Sequence, residues 1–73
     1  MHTISAELVA NVATVLVEPG DAVGATDPLV ILESMKMEIP VLAEISGVVA
    51  ELAVRPGDVI REGDVIAVIE ETG

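Results

Sequence analysis

The sequence repeats itself. Pro56-Gly57-Asp58 matches Pro19-Gly20-Asp21 at an offset of 37 residues, and the match continues ungapped in both directions. Ala6-Glu7 falls on Ala43-Glu44, Val12-Ala13 on Val49-Ala50, Val17 on Val54, Asp27 on Asp64 and Glu33 on Glu70. Apolar positions agree as well: Val23 with Ile60, Leu29 with Ile66, Ile31 with Val68, Leu32 with Ile69. Units of this length, about 4–33 and 41–70, are too short to bury a core alone, so each must pack against its twin. The 73 residues therefore describe a single small domain, 1–73, with a quasi-two-fold axis.

Each unit reads as short strands separated by turns. Residues 12–17 and 48–54 are β-branched and apolar, and 29–33 and 65–70 are the matching later strands. Pro-Gly-Asp is turn chemistry: Pro presets φ, and Gly accepts φ > 0. Asp27-Pro28 and Glu62-Gly63-Asp64 mark further turns. Pro19, Pro28, Pro40 and Pro56 leave no uninterrupted helical pattern. The expected fold is all-β: two small antiparallel sheets forming a sandwich or flattened barrel. Its core must be aliphatic, because Phe, Tyr, Trp and Cys are absent. The last absence also excludes disulfides and cysteine metal sites.

The unusual residues lie on the connection between the units. If 29–34 and 37–42 are strands, Met35-Lys36 is a two-residue hairpin turn. Such turns favour Asn-Gly, Asp-Gly or a leading Gly, because their central residues need φ > 0. None is present here, and violated turn chemistry points to functional or strained positions. Lys36 is the only lysine, flanked by two of the three methionines, Met35 and Met37. An isolated exposed lysine is ordinarily a solvated surface residue, and methionines are ordinarily core filler. Position, uniqueness and turn chemistry together raise Lys36 to a candidate site. The symmetry mate of this connection would join the two chain ends, so hairpin and termini are expected at dyad-related places.

The charge is strongly acidic, with three Lys plus Arg against thirteen Asp plus Glu and a net −10. That argues against nucleic acid and against anionic lipid, since no basic stripe is present. It is compatible with simple solubility, or with steering toward a basic partner surface. No leader pattern opens the chain, and the aliphatic run 29–32 is too short to span a bilayer; a cytoplasmic location is expected. His2 is expected to be disordered near a terminus and without function. Asp21 and Asp58 do not follow a calcium-loop spacing, so a turn-stabilising role is expected and no metal site.

The run Glu33-Ser34-Met35-Lys36-Met37-Glu38 resembles the biotinylation signature of biotin carboxyl carrier domains, whose centre is Met-Lys-Met. The duplicated all-β pattern is similar to the biotinyl/lipoyl domain, a flattened barrel with its modified lysine at a hairpin tip. The similarity covers nearly the whole chain, from Ile4 to Glu70, with Gly47-Val48-Val49 and Pro56-Gly57-Asp58 as further landmarks. Ser34 stands where alanine commonly precedes Met-Lys-Met. With no room for a thumb-like loop or a Pro/Ala-rich linker, the chain resembles the short, thumbless, free-standing type.

The resemblance implies covalent biotin on Lys36, attached by a biotin protein ligase. Met35 and Met37 would flank the recognition site, and Glu33, Ser34 and Glu38 would assist. Biotin would then carry CO₂ on its ureido nitrogen from a biotin carboxylase to a carboxyltransferase. The acceptor would be an acyl-CoA, as in the acyl-CoA carboxylases of fatty acid synthesis, or a keto acid. The chain itself would be a monomeric carrier and not an enzyme; no residue pattern compels a catalytic reading. The amine of a free lysine is almost wholly protonated at neutral pH (reference pKa about 10.4), so the ligase must help remove its proton. Glu33 and Glu38, if close, would favour the charged amine. Two alternatives stand beside this reading. A lipoyl carrier shares the fold but commonly has Asp-Lys-Ala around its lysine. An unmodified interaction module would need no modification of Lys36.

Overall fold

The computed structural model describes residues 1–72, and these form eight strands without a helix. In chain order they are β1 (His2–Ser5), β2 (Ala10–Val15), β3 (Ala22–Val23), β4 (Pro28–Ser34), β5 (Met37–Leu42), β6 (Gly47–Leu52), β7 (Val59–Ile60) and β8 (Val65–Glu71). All pairings are antiparallel, in two four-stranded sheets of order β1-β8-β6-β3 and β5-β4-β2-β7. No ladder joins the two sheets among the described strands, so the architecture is a sandwich and the barrel is not closed.

The 37-residue offset carries over to the elements. β2 maps onto β6, β3 onto β7 and β4 onto β8, end to end, and β1 maps onto 39–42 of β5. The mapping converts one sheet order into the other. Even the irregularities repeat: the β2–β4 register shifts between Val12 and Thr14, and the β6–β8 register shifts between Val49 and Glu51. Each sheet takes two strands from each repeat, so neither repeat builds a sheet on its own.

Alternation explains the burial. On β2, Ala10 and Val12 face inward while Asn11 and Ala13 face solvent. A regular strand cannot bury neighbouring residues on one face. β4 buries both Leu29 and Val30 because its pairing with β5 slips between Pro28 and Val30. The equivalent slip in β1–β8 buries Ile66 and Ala67 together. The resulting core is wholly aliphatic. Ile4, Leu29, Leu32, Ile66, Ile69, Val12, Val30 and Val49 are its largest fully buried members, and no polar side chain is buried among the described residues.

The turns follow the expected chemistry. Gly20 and Gly57 take φ of 99° and 94°, a region closed to most other residues. Asp21 and Asp58 accept hydrogen bonds through Oδ2 from the amides of Glu18 and Arg55, each at 2.9 Å. Asp27 and Asp64 do the same for Gly24 and Arg61. These are Asx-type local bonds that close each turn onto itself.

Several boundaries differ from the sequence reading. β2 and β6 begin earlier than expected, at Ala10 and Gly47, because Ala10 and Gly47 already pair in the sheets. The two-residue strands β3 and β7 and the strand β1 had no periodic signal. His2, expected to be disordered, instead opens β1: it pairs with Ile69, and its Nε2 lies 4.0 Å from the Glu44 carboxylate.

Candidate functional site

β4 and β5 form the hairpin that joins the repeats. Their ladder runs from Pro28↔Leu42 to Ser34↔Met37, which leaves Met35 and Lys36 as the two turn residues. Both take left-handed dihedrals, with φ of 52° and 66°. Two central residues with φ > 0 are the requirement of a type I′ turn, the connection whose twist matches the flanking strands. Met and Lys have a Cβ, so each pays about 1–2 kcal/mol for this region. The long ladder behind the turn, anchored by fully buried Leu29, Val30 and Leu32, holds the geometry against that strain.

The turn projects its side chains into solvent. Met35 is 92% exposed and Met37 62% exposed, and Lys36 is exposed between them. The methionines are thus not core filler. Ser34 is half-buried, and Glu33 and Glu38 are exposed and directly paired across the ladder. Neither carboxylate lies within 4.0 Å of the Lys36 ammonium: among the described residues the one ion pair at that distance is His2–Glu44. The six residues singled out by sequence therefore sit together at one hairpin end, with the amine unpaired at its tip. An amine so placed is open to acylation from outside and has no base of its own to deprotonate it. Nothing here blocks a long covalent substituent.

Two features escaped the sequence reading. Glu44 also takes a left-handed φ, 69°, whereas its repeat mate Glu7 does not. A groove of about 230 Å³ opens beside β5, with Glu7 and Glu44 among its lining residues. Among the described residues no group of three or more His, Asp or Glu is arranged to hold a metal ion.

Residues 3–69 match the biotin/lipoyl family, described as "Biotin-requiring enzyme". The chain belongs to that family. The backbone of this biotin/lipoyl domain agrees with solved members. It superimposes on part of the Kluyveromyces lactis urea carboxylase with a TM-score of 0.88 and 33% identity, covering 94% of this chain and 6% of that one. A single-chain, multi-domain long-chain acyl-CoA carboxylase gives 0.90 and 31%, covering 97% and 7%. The lipoyl domain of the 2-oxoglutarate dehydrogenase complex of Azotobacter vinelandii gives 0.78 and 31%, covering 96% and 99%.

Curated relatives agree. The biotinylated protein TB7.3 homolog of Mycobacterium leprae is 58% identical over 45 residues, 62% of this chain and 63% of that protein. The biotin/lipoyl attachment protein of Bacillus subtilis is 44% identical over 46 residues, 63% of each. These matches span less than two thirds of the relatives' own length. The expected family and all-β sandwich are thus both met: this is a biotin/lipoyl attachment domain similar to the biotinyl domains of carboxylases.

Proposed function

We propose that the chain is a biotin carrier, acting as a single biotinyl domain over residues 1–73, with biotin held covalently on Lys36. The observation that carries this reading is the Met35-Lys36 turn: a sole lysine, exposed at the tip of a hairpin whose strain serves no packing purpose. The side chains present suit such a group, since the ε-amine has clear solvent around it and no salt bridge to break. A biotin protein ligase would activate the biotin carboxyl with ATP as its adenylate, releasing pyrophosphate. Nζ of Lys36, its proton taken up by the ligase, would then attack that carbonyl, and the amide forms as the bond to AMP breaks. Met35 and Met37 offer that ligase flexible apolar contacts on either side, and Glu33, Ser34 and Glu38 lie within the same recognised surface.

Biotin so attached supplies a ureido nitrogen that carries a carboxyl group from a biotin carboxylase to a carboxyltransferase. The chain contributes reach and high effective concentration and no chemistry of its own. An acyl-CoA acceptor fits the likeness to a long-chain acyl-CoA carboxylase, and the likeness to urea carboxylase keeps other acceptors open. A monomer is the expected working form, since a net charge of −10 opposes self-association, and a cytoplasmic location is part of the same proposal.

The likeness to a lipoyl domain supports a second reading, lipoylation of the same lysine. Met-Lys-Met favours biotin. Intact mass spectrometry separates the possibilities after incubation with biotin, ATP, magnesium and a biotin protein ligase. One biotinyl group on the wild type and none on Lys36→Arg is the expected result. No added mass on folded wild type, with the ligase active on a control, would reject the biotin reading. Mass gained with lipoyl ligase would then select the second, and no gain with either would leave an unmodified interaction module.

A further inference from the structure

The two repeats act as an internal control. A residue that the fold itself requires should be matched at the equivalent position 37 residues away. The edge strands β1 and β5 fail that test. Ile39, Pro40 and Leu42 of β5 correspond to His2, Thr3 and Ser5 of β1. The polar version pairs with its neighbour β8 as β5 pairs with β4. Pairing therefore does not demand the apolar residues on β5, and Leu42 remains 38% exposed.

The packing is asymmetric in the same place. Ile4 on β1 is 2% exposed, whereas its mate Val41 on β5 is only half-buried, like Ile39. The sandwich is left open along β5, and the groove of about 230 Å³ occupies that opening. Its volume suits one large aliphatic or aromatic side chain. Glu7 and Glu44, themselves repeat mates, both line it. Only Glu44 is in the left-handed region, and its amide donates to the Ala25 carbonyl, a bond with no counterpart from Glu7 among the described residues; the neighbouring bond from Ala43 to Asp27 is matched by Ala6 to Asp64. Such strain in one copy alone marks a position where something besides folding is selected.

The occupant must match an apolar floor and a carboxylate rim on a molecule of net charge −10. That excludes a second copy, which brings the same charge, and selects a segment both apolar and basic. Pro40 offers no N–H, which limits continuous strand addition along this edge and leaves recognition to side chains. β5 begins at the Lys36 turn, so a partner seated along it works on the arm that Lys36 carries. We infer that the β5 groove docks an extended apolar and basic segment of the biotin carboxylase, with one apolar anchor in the groove and Arg or Lys at Glu7 and Glu44. This rests on the carrier reading proposed above.

The test uses the biotinylated full chain as substrate for a purified biotin carboxylase subunit of the same cell, with ATP and bicarbonate and with free biotin as a size control. Two variants are compared: Leu42→Ser, which installs the residue of the first repeat, and the double variant Glu7→Gln/Glu44→Gln. Both are first shown to fold by circular dichroism and to accept biotin normally. The expected result is a KM for the carrier raised by about tenfold in each. The kcat is unchanged, and the wild-type advantage over Glu7→Gln/Glu44→Gln shrinks as salt rises. Wild-type carboxylation with an unchanged KM in both variants overturns the groove and leaves the carrier reading standing. No carboxylation of the wild type, by enzyme active on free biotin, overturns both. A concentration-dependent dimer of the wild type that Leu42→Ser abolishes would assign the groove to a second copy and overturn the inference.

Discussion

Glu33 and Glu38 are direct partners across the β4–β5 ladder, one step behind the Lys36 turn. Both are exposed, and neither has a cationic group within 4.0 Å among the described residues. Like charges placed opposite each other destabilise a sheet by a few tenths of a kcal/mol to about 1 kcal/mol. Glu38→Lys should therefore raise the Tm by about 3–6 °C at low salt, with the gain fading as salt is added. Thermal unfolding at two ionic strengths checks this. No rise at low salt would show that the two carboxylates do not interact.

The turn itself should be improvable at the expense of its use. Replacing Met35 and Lys36 by Asn and Gly gives the type I′ pair that left-handed φ favours. Met35→Asn/Lys36→Gly should stabilise the domain by about 1–2 kcal/mol and remove the proposed acceptor amine. Lys36→Arg should remove the acceptor with no gain in stability. Urea unfolding midpoints for the three proteins decide between this and an unstrained turn.

The four turn aspartates should each contribute comparably. Asp58 accepts from the Arg55 amide at 2.9 Å. Asp58→Ala should cost about 1 kcal/mol, and Asp58→Asn less, because the amide oxygen can still accept. Asp21→Ala should show the same loss, since its bond to the Glu18 amide is equivalent. Equal stability of Asp58→Ala and wild type would mean the bond adds nothing beyond what water supplies.

Gly47 should tolerate no side chain. A Cβ there would lie 2.2 Å from the Glu70 carbonyl oxygen, a backbone atom that cannot swing away. The equivalent residue in the first repeat is Ala10, which fits. Gly47→Ala should destabilise by about 1–3 kcal/mol through displaced backbone. Chemical denaturation of that variant beside Ala10→Gly measures how far the two repeats have diverged at this contact.

Much of this fold is legible from residues alone. The ungapped 37-residue match exposes the dyad, and apolar runs of β-branched residues expose β2, β4, β6 and β8. β1 was missed because His2-Thr3-Ile4-Ser5 buries only Ile4. β3 and β7 were missed because two residues carry no period. The bulges that bury Leu29 with Val30 and Ile66 with Ala67 depend on tertiary register, which no local pattern states. At the site, Met35-Lys36 was readable because it breaks the rule for a two-residue turn. The left-handed Glu44 was not, since it shares its Ala-Glu pair with Glu7 and carries no Gly, Asn or Asp signal for positive φ. The groove had a signal, but only in the difference between repeats: Ile39, Pro40 and Leu42 against His2, Thr3 and Ser5.

The interleaving of the repeats governs when the molecule can take shape during synthesis. β8 is an inner strand, bonded to both β1 and β6, yet it is the last of the eight to emerge from a ribosome. Until it does, β1 has no neighbour and half of the sandwich lacks its centre. Nascent chains must therefore wait, holding apolar β2 and β4 without their covering sheet. Were Lys36 modified as proposed, and only on the finished scaffold, the modification would report that Val65–Glu71 had already been made.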